Sequence, residues 1–284
     1  MISTHAFRTV FEERMISEGF VWKSHVYMHV DFEQGWLIAF WPNSYSGERF
    51  DLQFGLYFLN SDLFAEDIIE KLNILHQYQT NQMFRAFDFQ TFDNHIFHWD
   101  GTPIKAVALK ACKLEYQRVL NEYCINAAPY IHAIHTPYEA YQFKKKYCFP
   151  FKEMEQLNWE TGKEVIDYLL YIGEYSEALS LFPKITNRYQ FLLKHEREYL
   201  DQLRKEKSPD LGYWEQKMPE VLQKLKKTLI QVEQIENDIR QNKFGDRIIQ
   251  TQDRILTQTE ALKSVFTQKQ QNIMRMNWNN PLMV

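Results

Sequence analysis

Residues 50–58 read Phe-Asp-Leu-Gln-Phe-Gly-Leu-Tyr-Phe. Phe50, Leu52, Phe54, Leu56 and Phe58 occupy every second position, separated by Asp51, Gln53, Gly55 and Tyr57. Successive strand side chains point to opposite faces, so this run is expected to be a β-strand with one core face. Just upstream, Trp36 to Trp41 is a denser apolar run, and Pro42-Asn43 with Ser46-Gly47 mark a turn between the two. Further upstream, Phe20, Trp22, Val26, Met28 and Val30 alternate with polar residues. These stretches predict an antiparallel meander. Residues 3–18 change period: Phe7, Val10, Phe11, Arg14 and Met15 share one face of a helix that Gly19 would stop. That helix is expected across one face of the sheet.

Downstream, residues 63–80 read as helix, 83–99 as a hairpin or edge strands, and 104–126 as helix again. From Asn158 the pattern is helical throughout. Val165, Tyr168, Leu169 and Ile172 line one helix stopped by Gly173, and Tyr175, Ala178, Leu179 and Phe182 begin a second, an αα-hairpin. Residues 215–276 are rich in Gln, Lys and Glu. Leu222, Leu225, Leu229, Val232, Ile235 and Ile239 run at three-to-four spacing, and Ile248, Ile255 and Leu262 at seven. Gly245 marks a break, so two long helices folded back on each other are expected there. The fold class is therefore α+β: an N-terminal antiparallel sheet with flanking helices, then an all-α region ending in a long helical hairpin or coiled coil. The expected divisions are 1–150, 151–210 and 211–284.

Composition sharpens this division. Of 44 aromatic residues, 31 lie in 1–151, so the front can build a thick core while the back packs by aliphatic contacts. Residues 1–100 hold 6 Lys/Arg against 14 Asp/Glu, a balance that opposes a phosphate backbone and suits a basic protein partner. Three cysteines, Cys112, Cys124 and Cys148, form no disulfide framework and point to a reducing, cytoplasmic setting. No apolar run approaches the ~20 residues of a membrane span.

Motif chemistry is sparse. No two of the nine glycines are separated by one residue, which excludes the dinucleotide fingerprint and the nucleophile elbow; no phosphate-binding loop pattern occurs either. No C-x-x-C or H-E-x-x-H occurs. No catalytic or cofactor-binding residue is identified, and no cofactor is expected. The metal-ligand candidates are two H-x-x-H pairs, His95 with His98 and His132 with His135, because residues three apart share a face on a helix. His95 and His98 lie in a strand-like stretch that opposes chelation. His132 and His135, between Pro129 and Pro137, need a third ligand such as Cys124 or Cys148. Lys144-Lys145-Lys146 is the one basic run and reads as a solvated helix end.

Glu18 to Lys23 after the opening helix, Trp36 to Trp41, Gly47 to Tyr57, Ala128 to Ile131, Thr136 to Glu139 and Ile172 to Ala178 together resemble a bacterial family catalogued as domain of unknown function 4304. The likeness covers about residues 3–180. It implies no activity and no catalytic residues, and its members are similar to small accessory or immunity-type proteins.

These readings favour a non-enzymatic protein–protein interaction or accessory protein, of immunity or defence type, acting through an acidic sheet face and a helical arm. The alternative is a metal-dependent hydrolase using the histidine pairs. The aliphatic stripe near Ile255, Leu262, Phe266 and Ile273 should seek either the front domain or a second chain, which would make a homodimer through the C-terminal helices.

Overall fold

The structure is a computed structural model that describes residues 4–23, 26–45, 49–61, 116–117, 120–121, 123–125, 127–147 and 159–279; for 4–6, 41–45, 49–54, 160–161 and 279 it describes the backbone alone. The expected elements at 63–80 and 83–99, and most of 104–126, lie outside the described residues. His95 and His98, the first of the two histidine pairs, fall there as well.

The chain is α+β. Helix α1 (Thr4–Ser17) leads into strands β1 (Val21–Lys23), β2 (Val26–Asp31), β3 (Trp36–Tyr45) and β4 (Arg49–Phe58). They form one antiparallel sheet in the order β1-β2-β3-β4, as a meander must when each turn is short. The register pairs Tyr27 with Phe40, His29 with Ile38 and Asp31 with Trp36. Trp36 and Leu37 pair in turn with Phe58 and Tyr57. The helical part then comprises α2 (Ala128–Ile131), α3 (Pro137–Tyr147), α4 (Trp159–Tyr171), α5 (Tyr175–Glu206), α6 (Leu211–Arg240), α7 (Gly245–Val265) and α8 (Gln268–Asn279).

These elements cluster as two compact units. One is residues 1–152 with 252–284, and the other is 153–251. The first boundary lies two residues past the expected 150, whereas the second falls at 251 rather than near 211, because residues from 252 on cluster with the sheet. In the first unit α8 packs on α1, β1 and β2. Its Met274 and Trp278 are buried, and Asn277 Nδ2 donates to Ile16 O at 2.7 Å. The stripe on α7 is buried as well: Ile255, Leu262 and Phe266 are each 3% exposed or less. Ile255 lies against Gly35 in the β2–β3 turn. Of the two partners expected for that stripe, the front unit is the one with which Ile255, Leu262 and Phe266 cluster.

The sheet is closed on both sides where side chains are described. Tyr27, His29, Trp36 and Phe40 are buried on the face that carries α1 and α8, and Val26, Met28, Val30, Leu37 and Ala39 on the other. Tyr57, expected on a polar face, is buried too. An open acidic sheet face is therefore absent among the described residues. Two of the acidic groups counted toward it are committed locally: Glu18 is fully buried, and half-buried Asp31 accepts at Oδ1 from the N–H groups of Glu33 and Gln34.

In the second unit α4 packs on α5, and α6 packs along α5. The break before Gly245 is real: Asn242 takes a left-handed φ of 56° between α6 and α7. The helices on either side of it are nevertheless not the hairpin that the repeat predicted. The long aliphatic face of α6 goes to α5, which runs on past Phe182 to Glu206 and offers an apolar face of matching length. Arg247 fastens the start of α7 to Asp167 of α4 through Nε and Nη2, at 3.0 and 2.6 Å.

Gly19 and Gly173 both end helices at positive φ, 82° and 84°. A Cβ on Gly19 would lie 2.8 Å from the backbone nitrogen of Trp278, whereas one on Gly173 would meet nothing within 4 Å. Gly19→Ala should therefore cost about 2–4 kcal/mol, combining left-handed strain with overpacking, and Gly173→Ala only about 1–2 kcal/mol. Urea unfolding of both variants checks the difference; equal losses would mean that α8 does not sit on the Gly19 turn.

Candidate functional site

The most concentrated polar chemistry in the described residues lies under α1, where a carboxylate is buried. Glu18 follows the last turn of α1 and is fully buried. Arg14, one turn earlier on the face otherwise built of Phe7, Phe11 and Met15, donates Nε to Oε1. Tyr123 Oη donates to Oε2 at 2.5 Å. His132 Nε2 stands 3.2 Å from the same oxygen, within ion-pair distance but off the line of a hydrogen bond. Burial alone would push the Glu18 carboxyl up; His132, Tyr123 and Arg14 together outweigh it and hold the carboxyl below its ordinary range. Burial, with Glu18 adding to it, pushes Tyr123 well up. Burial likewise raises Cys124, which is the opposite of an activated thiol.

Beside this cluster sits a second histidine. His29 is 2% exposed, and its Nδ1 faces the carbonyl of Gly19 at 3.0 Å. A carbonyl only accepts, so Nδ1 carries the proton and Nε2 is a bare lone pair with no partner. Burial drives the imidazole pKa down to about 3, and the ring is neutral. The indole of Trp278 stacks on it at 3.7 Å and 19°, lies 4.9 Å from the ring of His132, and donates Nε1 to Ile134 O at 2.9 Å. Trp36 closes the far side at 5.5 Å from Trp278. A cleft of about 420 Å³ opens nearby between the β2–β3 turn and α8, lined by His29, Asp31, Glu33, Lys263, Arg275 and Trp278 among others. Its polar groups are largely engaged: Lys263 pairs with Glu260, and Gln271 caps the carbonyls of Lys263 and Phe266.

Only the second histidine pair falls within the described residues. His95 and His98 both lie outside those residues. His132 and His135 are not brought together. Helix α2 ends at Ile131, so the two do not share a helical face. His132 turns inward to Glu18, while His135 is exposed and ties the chain through its backbone, donating to Glu139 and accepting from Gln34. Among the described residues no group of three or more His, Cys, Asp or Glu is placed to hold a metal ion. Lys144 is not a solvated helix end: it is buried, with Nζ donating to Leu56 O at 2.5 Å over the rings of Tyr57 and Phe58. Glu18, Tyr123 and Trp278 carry no motif. Arg14 was the available cue, a charged residue on an apolar helical stripe with an acid four residues on.

A different surface is offered by the α5–α6 hairpin. Between residues 190 and 231 only Leu203 and Met218 are buried. Near its turn, Trp214 meets Tyr199 edge-on at 5.6 Å and Tyr213 at 5.4 Å, and Tyr213 is 59% exposed. No protein-family model, no curated protein and no solved structure matches the chain. No helix among the described residues is long and apolar enough to cross a membrane.

The buried cluster can be tested in two ways. Glu18→Gln leaves Arg14 and His132 without their anion and should cost about 3 kcal/mol at neutral pH, read from urea midpoints. His29 has a folded pKa below its unfolded value, so the unfolded chain binds the extra proton between them. Stability should then fall by ~1.4 kcal/mol per unit as pH drops from about 6.5 toward about 3. His29→Asn, which keeps a donor for Gly19, should flatten that limb in a pH series of urea midpoints; an unchanged limb would show His29 to be solvated.

Proposed function

We propose that the protein is a non-enzymatic interaction protein that engages a protein partner through the distal end of the α5–α6 hairpin. The observation that carries the reading is the aromatic group at that end. Tyr213 stands exposed against Trp214, which is held edge-on by Tyr199. Exposed, pre-oriented Tyr and Trp are the residues that dominate protein interfaces. Helix α5 has 32 residues, a rod of about 48 Å, so its end lies far along from the packed base of the unit. Arg204 bridges Asp201 and Glu215 across the two helices and stiffens the tip.

The chemistry supports a basic partner. Residues 196–220 carry seven Asp/Glu against five Lys/Arg. The acidic interaction surface expected on the sheet is better supported here. An accessory role of the immunity type, in which a rigid acidic tip covers a basic protein, fits this balance. The buried Glu18 cluster is read as a structural lock, because Arg14 and Tyr123 are committed to the carboxylate and none of its groups faces open solvent with a free nucleophile beside a base.

A photo-crosslinking amino acid at position 213 tests the reading in the native host. It should trap one stoichiometric partner, while the same group at exposed Leu256 of α7 should not. Tyr213→Ala and Trp214→Ala should each weaken the recovered complex at least tenfold, on the order of 1.4 kcal/mol or more, with unchanged helical circular dichroism. Equal trapping at 213 and 256 would count against the hairpin end as the docking surface. A trapped second copy of this chain would redirect the reading to a homodimer.

A further inference from the structure

The hairpin brings together two stretches that are distant in the chain and alike in charge. Residues 178–195 of α5 contain Lys184, Arg188 and Lys194 and no Asp or Glu; residues 221–232 of α6 contain Lys224, Lys226 and Lys227 and no Asp or Glu. The Tyr199–Trp214 ring contact and the Arg204–Glu215 ion pair set an antiparallel register near the turn. Carried back along both helices, it lays these two acid-free stretches side by side. Acidic residues bound the belt at each end: Glu177 and Glu196 on α5, Glu220 and Glu233 on α6. Neither stretch stands out by itself as a basic run, because each has only three cations.

We infer that this belt binds the phosphodiester backbone of a nucleic acid. Lys224, Lys226 and Lys227 are exposed, and no carboxylate pairs with them among the described residues. Lys194 meets Glu198 only at 3.7 Å, with both side chains more than half exposed, a pair worth little in water. Twelve residues of helix span about 18 Å, a length over which one strand of a duplex presents about five phosphates, comparable to the five lysines of the belt. Exposed amides at Asn187, Gln190, Gln223 and Gln231 alternate with the lysines and supply further donors to phosphate and sugar oxygens. Arg188, Phe191 and His195 share one face of α5; Phe191 is 50% exposed and stacked on His195, which offers a ring to an unstacked base.

A lipid surface fits less well. Interfacial helices insert a continuous apolar face, whereas Phe191 and Ile230 are isolated exposed apolar residues set among amides and cations. The acidic balance of residues 1–100, which opposes phosphate, belongs to the other unit. Screening confines the reach of surface charge to about 8 Å at physiological salt, so the local balance of the belt governs what it attracts.

Fluorescence anisotropy with the full chain tests the inference. The probes are ~20-nucleotide labelled single-stranded RNA, single-stranded DNA of the same sequence, and the duplex, at ~50 and ~200 mM salt. At least one should bind with a dissociation constant of about 10⁻⁶ to 10⁻⁴ M, weakening on the order of 100-fold across that salt range for about four neutralised phosphates. Which probe binds best identifies the source of the phosphates. The triple charge reversal Lys224→Glu, Lys226→Glu, Lys227→Glu should lose at least tenfold with unchanged helical circular dichroism. The double reversal Lys205→Glu, Lys217→Glu near the tip should bind as the parent does. Phe191→Ala should weaken single-stranded probes about tenfold and the duplex little. The inference is overturned if no probe binds at the lower salt, if the triple variant binds like the parent, or if polyglutamate or phosphatidylserine vesicles compete better than the oligonucleotides. Because the belt excludes Tyr213 and Trp214, its failure would leave the partner cross-link at position 213 in place, and the reverse also holds.

Discussion

The indole of Trp278 against the imidazole of His29 is the contact on which the front unit depends. A single side chain near the end of the described chain stacks on the second strand, touches the ring of His132 and hydrogen-bonds Ile134. It thereby joins the sheet, the turn after α2 and the last helix. The close approach requires Gly19, since any Cβ there would strike the α8 backbone. It also dictates the state of His29: a ring covered by an indole, with its Nδ1 proton given to Gly19, stays uncharged. Burial here favours the neutral form and holds the imidazole pKa down at about 3. The buried Glu18, by contrast, stays charged because Arg14 and Tyr123 donate to it and the ring of His132 stands beside it. Two titratable groups on neighbouring elements thus differ in charge state, His29 neutral and Glu18 anionic.

The second unit is built on a different plan. Its base is layered, with α4, α5 and α6 burying Val165, Leu169, Phe182, Ile185 and Val232. Farther along, only two helices remain in contact, and most side chains between 190 and 231 keep solvent on one side. A two-helix section of that kind contributes little to a core. It instead displays surface, with an acid-free stretch on each helix and both signs of charge toward the tip.

Much of the front was legible in the chain. The period-two runs at 26–30, 36–41 and 50–58 specified the sheet, and the 3.6-residue period of 3–18 with Gly19 specified α1 and its stop. What failed were questions of partnership. Periodicity shows that Leu222 to Ile239 form an apolar stripe; it does not show which helix covers it. The seven-residue repeat at Ile248, Ile255 and Leu262 invited pairing with the preceding helix, whereas Ile255 lies against Gly35 of the β2–β3 turn. The same limit hid the site residues. Glu18, Tyr123 and His132 are far apart in sequence and meet only because α1 and the helical residues near Tyr123 share a face of the sheet. Histidine spacing misled for a related reason: His132 and His135 are three apart, but the helix that would align them stops at Ile131. The acid-free belt on the hairpin is a property of two segments at once, invisible to a search for basic runs, whereas the one run that such a search finds, Lys144 to Lys146, loses its first lysine to the interior.

Native-state hydrogen exchange tests the central structural claim most directly, because it reports how α8 opens relative to the sheet. If Trp278 makes α8 part of the front core, amides of Met274 to Trp278 should exchange with the same opening free energy as those of His29 and Ile38. All should lose protection together in Trp278→Ala. Rapid exchange of α8 while β2 and β3 stay protected would contradict the account, because the last helix would then be an appendage rather than part of the core.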